Sequence, residues 1–155
     1  MIAQNKLQIL KICRFYSYGD MEAANDLFQD IVLNLWESYP RYVKRPNCKQ
    51  STWLYRVALN TALMQKRKNS RLSFEALHKE NIQSEQYNDD NEIIRRLYEL
   101  IDQLNEGDKT LIYLFLDEKS HQDIADIMGI SVSNVGTRIQ RIKLKLKQLN
   151  IKSEI

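Results

Sequence analysis

The sequence predicts an all-α protein. Two small helical domains are joined by a flexible acidic linker, and the second contains a helix-turn-helix. Three observations predict this. Apolar residues recur at the helical period over long stretches, and only 4 Gly and 2 Pro punctuate 155 residues. Residues 120–148, SHQDIADIMGISVSNVGTRIQRIKLKLKQ, read as helix, tight turn, helix. Charge is segregated although the net is only +3. Residues 41–71 hold nine Lys or Arg and no acid, residues 72–110 hold four basic and ten acidic, and residues 132–152 hold six basic and none acidic. Two basic blocks around an acidic one imply two contacts with a polyanion.

Taken in order, residues 2–18 read as a helix with Leu7, Leu10 and Ile12 among its apolar positions, and Tyr18-Gly19-Asp20 is a turn signal. Residues 21–39 follow as a helix. Leu27, Phe28, Ile31, Val32, Leu35 and Tyr39 make its broad apolar face, while Asp30, Asn34 and Glu37 lie opposite. Leu33 and Trp36 fall between the faces. They either extend the core or form an exposed pair rimmed by polar groups, which is a candidate protein contact. Pro40 is expected to end that helix, and residues 41–50, RYVKRPNCKQ, to form a basic loop.

Ser51 or Thr52 is then expected to cap a helix carrying Trp53, Leu54, Tyr55, Val57 and Leu59. Its last turns hold Lys66, Arg67, Lys68 and Arg71, where cations suit the helix dipole. Aromatics beside a basic loop and helix can also stack unpaired bases, although such rings are as readily core. Residues 72–91, with NIQSEQYNDDNE, read as a mobile linker. Residues 92–104 open the second domain as a helix, and Asn105 caps another that supports the helix-turn-helix. The expected domains are 1–71 and 92–150, with no internal repeat.

Within residues 120–148, Ile124, Ala125 and Met128 share a face, Gly129 can take the left-handed conformation that ends a helix, and Ser131 caps the next. Val132, Val135, Ile139, Ile142 and Leu146 form the apolar stripe of that last helix. Ser133, Asn134, Thr137, Arg138, Arg141 and Lys145 fall on its other side, with no acid among them. A helix in the DNA major groove needs this combination, because its first residues meet base edges while cations meet phosphates. An ordinary amphipathic hairpin with a solvated basic face carries the same pattern.

Other classes are excluded. The N-terminus MIAQNKLQILKICRFY lacks the continuous apolar core of a signal peptide, and no run approaches a membrane span, so a cytoplasmic protein is expected. Cys13 and Cys48 are then reduced thiols, and with His78 and His121 they show no metal-ligand spacing. No glycine-rich phosphate loop, nucleophile–base pair or carboxylate cluster suggests an enzyme, a metal or a cofactor. The Asp89–Asp90 pair lies in the expected linker as solvated charge.

The ordered set DLFQDIVLNLW (26–36), STWLYRVALNTA (51–62) and SHQDIADIMGISVSNVGTRIQRIKLKL (120–146) resembles the extracytoplasmic-function (ECF) group of bacterial RNA polymerase sigma factors. The resemblance spans nearly the whole chain and matches the group's region two and region four, in order, around a variable acidic linker. It implies a non-enzymatic factor that binds core RNA polymerase, directs it to promoter DNA and helps melt the duplex. Asp26, Gln29, Asp30, Leu33 and Trp36 match the family's polymerase contact. The helix 52–68 and the loop before it match the part that handles the −10 element. Its expected contacts are Trp53, Tyr55, Arg56, Asn60, Lys66 and Arg67. Ser133, Asn134, Thr137, Arg138, Arg141 and Lys145 are the expected contacts to the −35 element or its flanking phosphates. An anti-sigma factor, often membrane-bound, is an implied partner.

Three departures from the family pattern stand out. The chain starts within the first family helix. The loop 41–50 is longer and lacks the usual glycine and aromatic before the TW pair. Gly136 falls where many relatives carry a larger polar residue, in the middle of the expected reading face. The base sequences of the two promoter elements therefore do not carry over. The competing reading, an autonomous helix-turn-helix repressor or activator, explains 120–148 but leaves DLFQDIVLNLW and STWLYRVALN without a role.

Overall fold

The computed structural model describes residues 1–18, 20–73 and 92–154. Two compact units divide the chain, Met1–Gln86 and Tyr87–Ile155. Among the described residues there are seven α-helices and no strand. The acidic stretch expected as a linker lies outside the described residues, apart from positions 72 and 73, which belong to the helix before it.

In the first unit a 3₁₀ turn, Ala3–Asn5, leads into α1 (Lys6–Tyr16), followed by α2 (Met21–Lys44) and α3 (Gln50–Ser73). The three helices pack around one core, each giving it residues three or four apart. These are Ile9, Ile12, Cys13 and Tyr16 from α1, Ala24, Leu27, Ile31 and Leu35 from α2, and Leu54, Ala58, Leu59 and Ala62 from α3. Each large apolar side chain so buried contributes about 1.5–3 kcal/mol. Leu7 lies outside this face and is 71 % exposed. Asp20 starts α2, its Oδ1 accepting from the backbone N–H of Glu22 (3.0 Å) and Ala23 (3.2 Å).

Pro40 does not end α2, which runs four residues further to Lys44. A proline removes one N–H and hence one bond, here to the Trp36 carbonyl, at a cost of about 3 kcal/mol. Packing offsets that loss. The Tyr42 ring stacks on Trp53 (centroids 4.7 Å apart, 16° between planes), and Tyr39 tilts onto the same indole at 5.9 Å. The Tyr42 hydroxyl donates to the Cys48 carbonyl at 2.7 Å. The expected loop thus shrinks to residues 45–49, and α3 begins at Gln50, before either expected cap.

In the second unit α4 (Glu92–Asp102), α5 (Glu106–Leu116), α6 (His121–Met128) and α7 (Val132–Glu154) enclose Leu100, Ile101, Leu104, Leu111, Leu114, Ile124, Val135, Ile139 and Ile142. Side-chain caps mark three starts. Asn105 accepts from Asp108 N–H (2.9 Å), Ser120 from Asp123 N–H (3.1 Å) and Ser131 from Asn134 N–H (3.1 Å). Gly129 adopts φ 70°, ψ 35°, and its N–H and that of Ile130 both reach the Ala125 carbonyl, closing α6. The Lys109 amine is buried but paired, with Asp102 at 2.9 Å and Glu106 at 3.6 Å. Such pairing is what a buried ammonium requires.

Candidate nucleic-acid and protein-contact surfaces

The outer side of α2 carries Asp26, Gln29, Asp30, Leu33 and Trp36, all exposed. Their spacing of three, four, seven and ten places them within one third of the helix circumference. Leu33 is 53 % exposed and Trp36 74 %, which resolves their ambiguous helical angle in favour of an open surface. The edge of this stripe is braced from α3. Gln65 Nε2 donates to Asp30 Oδ2 (3.1 Å), and Asn34 Nδ2 donates to Thr61 Oγ1 (2.9 Å). The result is an apolar pair framed by carboxylates and amides, a form suited to a protein partner with an apolar ridge and basic or amide neighbours.

On α3 the expected residues divide. Trp53 (9 % exposed) and Tyr55 (3 %) are core, so their reading as open platforms for unpaired bases is corrected. Trp53 is covered by Tyr39 and by Tyr42, the latter because α2 continues past Pro40. Arg56, Asn60 and Arg67 lie along one line of the helix at spacings of four and seven, with Arg56 half-buried and the other two exposed. Lys66 leans away from that line. Its amine donates to the Tyr18 hydroxyl at 2.6 Å and sits 5.1 Å from the centre of that ring. Tyr18 holds a left-handed backbone, φ 51°, at the turn before α2. Arg45 and Lys49 are exposed in the short connection before α3.

On α7 the buried side is centred on Val135, Ile139 and Ile142. At about 100° per residue, Ser133, Thr137, Gln140 and Leu144 stand opposite it. Asn134, Arg138, Arg141 and Lys145 occupy one flank, and Gly136 and Lys143 the other. Ser133, Asn134, Thr137, Arg141 and Lys145 are exposed. Arg138 is not: its Nη2 lies 3.0 Å from Asp108 Oδ1, and the two side chains are only 22 % and 19 % exposed. It locks α7 against the start of α5 rather than standing open to a ligand. Gly136 is likewise off the outward line, since a Cβ there would meet only the His121 ring, at 3.9 Å. Its expected place in the middle of the reading face is therefore corrected to the flank beside α6.

Helical periodicity found the faces but misjudged their centre. Gln140 and Leu144, outside the polar face expected from the sequence, are both exposed, Leu144 at 61 %.

Cys13 is buried, and burial raises its thiol from 9.0 to about 11, so it is a neutral core group and no nucleophile. Among the described residues no three His, Cys, Asp or Glu side chains gather as a metal site. No described helix is long and apolar enough to cross a membrane.

Comparison with known proteins gives a consistent pattern. The family described as Sigma-70 region 2 matches residues 1–72, and that described as Sigma-70, region 4 matches residues 94–146. The chain is 28 % identical over 141 residues to the RNA polymerase sigma factor YlaC of Bacillus subtilis (strain 168), covering 86 % of this chain and 80 % of that one. Two solved structures share the fold. One is the sigma factor RpoE in complex with the anti-sigma factor NepR from Bartonella quintana (TM-score 0.69, 19 % identity, 96 % of this chain and 95 % of that one). The other is CnrH in complex with the cytosolic domain of CnrY (TM-score 0.67, 21 % identity, 97 % and 85 %).

Proposed function

The chain belongs to the sigma-70 family and is an alternative RNA polymerase sigma factor of the ECF type, and we propose that its surfaces divide the work of initiation in a definite way. As a sigma factor it is not an enzyme; it binds core RNA polymerase and promoter DNA. The outer stripe of α2, Asp26, Gln29, Asp30, Leu33 and Trp36, docks on the polymerase. The line Arg56, Asn60 and Arg67 on α3, with Lys66 beside it, meets the −10 element and favours its opening. Buried Trp53 and Tyr55 hold that helix in place. The exposed side of α7 reads the −35 element, with Arg141 and Lys145 toward phosphates and Arg138 fixing the helix. Captured single-strand bases regain about 1–3 kcal/mol each by stacking, which offsets part of the cost of melting.

The observation that carries this reading is the exposure of the α2 stripe. A Trp that leaves 74 % of its surface in water beside a 53 % exposed Leu is costly for a monomer and useful for a complex. Because the Bartonella quintana relative was solved with an anti-sigma factor, the same kind of partner is assigned to this chain. Acting on core polymerase, the protein works in the cytoplasm. The test is co-purification with core polymerase and run-off transcription from a cognate promoter. Both are expected, and absence of polymerase binding at low salt overturns the reading.

A further inference from the structure

We infer that Gln140 determines specificity in the second DNA surface, its carboxamide reading an adenine of the −35 element. This rests on the function proposed above and adds to it a residue and a base. The argument starts from the orientation of α7. Val135, Ile139 and Ile142 are at most 3 % exposed and fix which side of the helix faces the core. The Arg138–Asp108 pair at 3.0 Å pins one flank, and Asn105 Nδ2 donates to the other Asp108 oxygen at 3.2 Å. Arg138 is thereby committed, because releasing it would leave a mostly buried carboxylate without its cation.

The polar outward positions, with Leu144 beyond them, are then Ser133, Thr137 and Gln140. They stand at i, i+4 and i+7, spacings at which groove-reading helices present side chains. Gly136 contributes no side chain. The Thr137 hydroxyl donates to the Ser133 carbonyl at 3.0 Å, and the Ser133 hydroxyl shares a hydrogen bond of 3.2 Å with Ser131. Gln140 is the first outward residue long enough to reach deep into a groove. It is exposed and forms no hydrogen bond within the described residues. Its carboxamide offers an N–H donor and a carbonyl acceptor side by side. That pair matches adenine, whose N7 accepts and whose N6 amine donates on the major-groove edge.

The experiment uses holoenzyme reconstituted from core polymerase and the full chain. It transcribes a promoter library randomised across the −35 element. Wild-type holoenzyme is expected to select adenine at one position. Gln140→Ala should lose preference at that position alone, with transcription from the best wild-type promoter falling about five- to 150-fold. Gln140→Glu should shift the preference there from adenine to cytosine, whose N4 amine donates to a carboxylate. Unchanged preferences in both variants, or an equal loss on every promoter with no change of preferred base, overturn the inference. Wild-type initiation with no upstream base preference also overturns it while leaving the sigma function standing. Absence of initiation removes both.

Discussion

Trp36 leaves 74 % of its surface to solvent while Trp53 leaves 9 %, and their helical angles alone do not separate them. Periodicity gives the direction of a side chain from its own helix axis. It does not give how far a neighbouring helix extends to cover it. Trp53 is covered by Tyr39 and, because α2 passes through Pro40, by Tyr42 stacked on it; nothing in the short-range pattern shows that. The same gap explains Arg138, whose partner Asp108 lies thirty residues away. Two predictions belong at this scale. Trp36→Ala is expected to weaken binding to core polymerase by at least about 2 kcal/mol, since central aromatic anchors carry that much. Thermal stability should stay within about 0.5 kcal/mol of wild type, as for other surface changes. Equilibrium binding to core polymerase together with a melting curve checks both.

The second residue-scale prediction concerns the two thiols. Cys13 is fully buried with its thiol pushed up to about 11, whereas Cys48 is half-buried in the connection before α3. A disulfide reagent at pH 8 should modify Cys48 quickly and Cys13 only as fast as the first unit unfolds. Linkage gives the sign of the pH effect. The fold prefers the neutral thiol, so its contribution is intact below pH 9.0 and is lost as pH rises toward about 11. Denaturant midpoints across that window report the loss, and Cys13→Ala should reduce it.

Helix ends were legible where a side chain or a backbone requirement marks them locally. Asn105 and Ser131 each take an N–H three residues on, and Gly129 takes the left-handed conformation that few other residues tolerate. Ends set by tertiary packing were not legible, as α2 shows. Gly136 is a case where local cost and structure can be compared directly. Inside α7 it forfeits about 1 kcal/mol of helix propensity relative to Ala. A Cβ there would make ordinary contact with the His121 ring at 3.9 Å. Gly136→Ala is therefore expected to stabilise the second unit by about 1 kcal/mol, a rise in its melting temperature of about 4–8 °C. A calorimetric scan checks it, and a fall in melting temperature would mean that His121 cannot yield.

At the scale of the whole molecule, charge matters through its distribution rather than its net of +3. The two basic blocks fall in different units, one on the end of α2, the connection and α3, the other on α7, separated in sequence by fourteen acids against five bases. Binding that neutralises phosphates releases counterions, so the logarithm of affinity falls linearly with the logarithm of salt, by about 0.9 per contact. Lys145 is exposed on α7, and Arg67 is exposed on the outward line of α3. For holoenzyme on one promoter, Lys145→Ala should flatten that slope by about one, and Arg67→Ala should do the same on duplex upstream of the melted region. The double variant should flatten it by about two, because the two cations belong to separate units and their effects add. Polymerase contributes its own phosphate contacts, but these cancel in the differences between variants. Nitrocellulose or fluorescence titrations from about 50 to 200 mM salt measure the slopes. If either slope stays unchanged, that basic block is a solvated face and only one unit grips the phosphates. If both flatten as stated, the chain holds its promoter at two places at once, each unit raising the local concentration of DNA for the other.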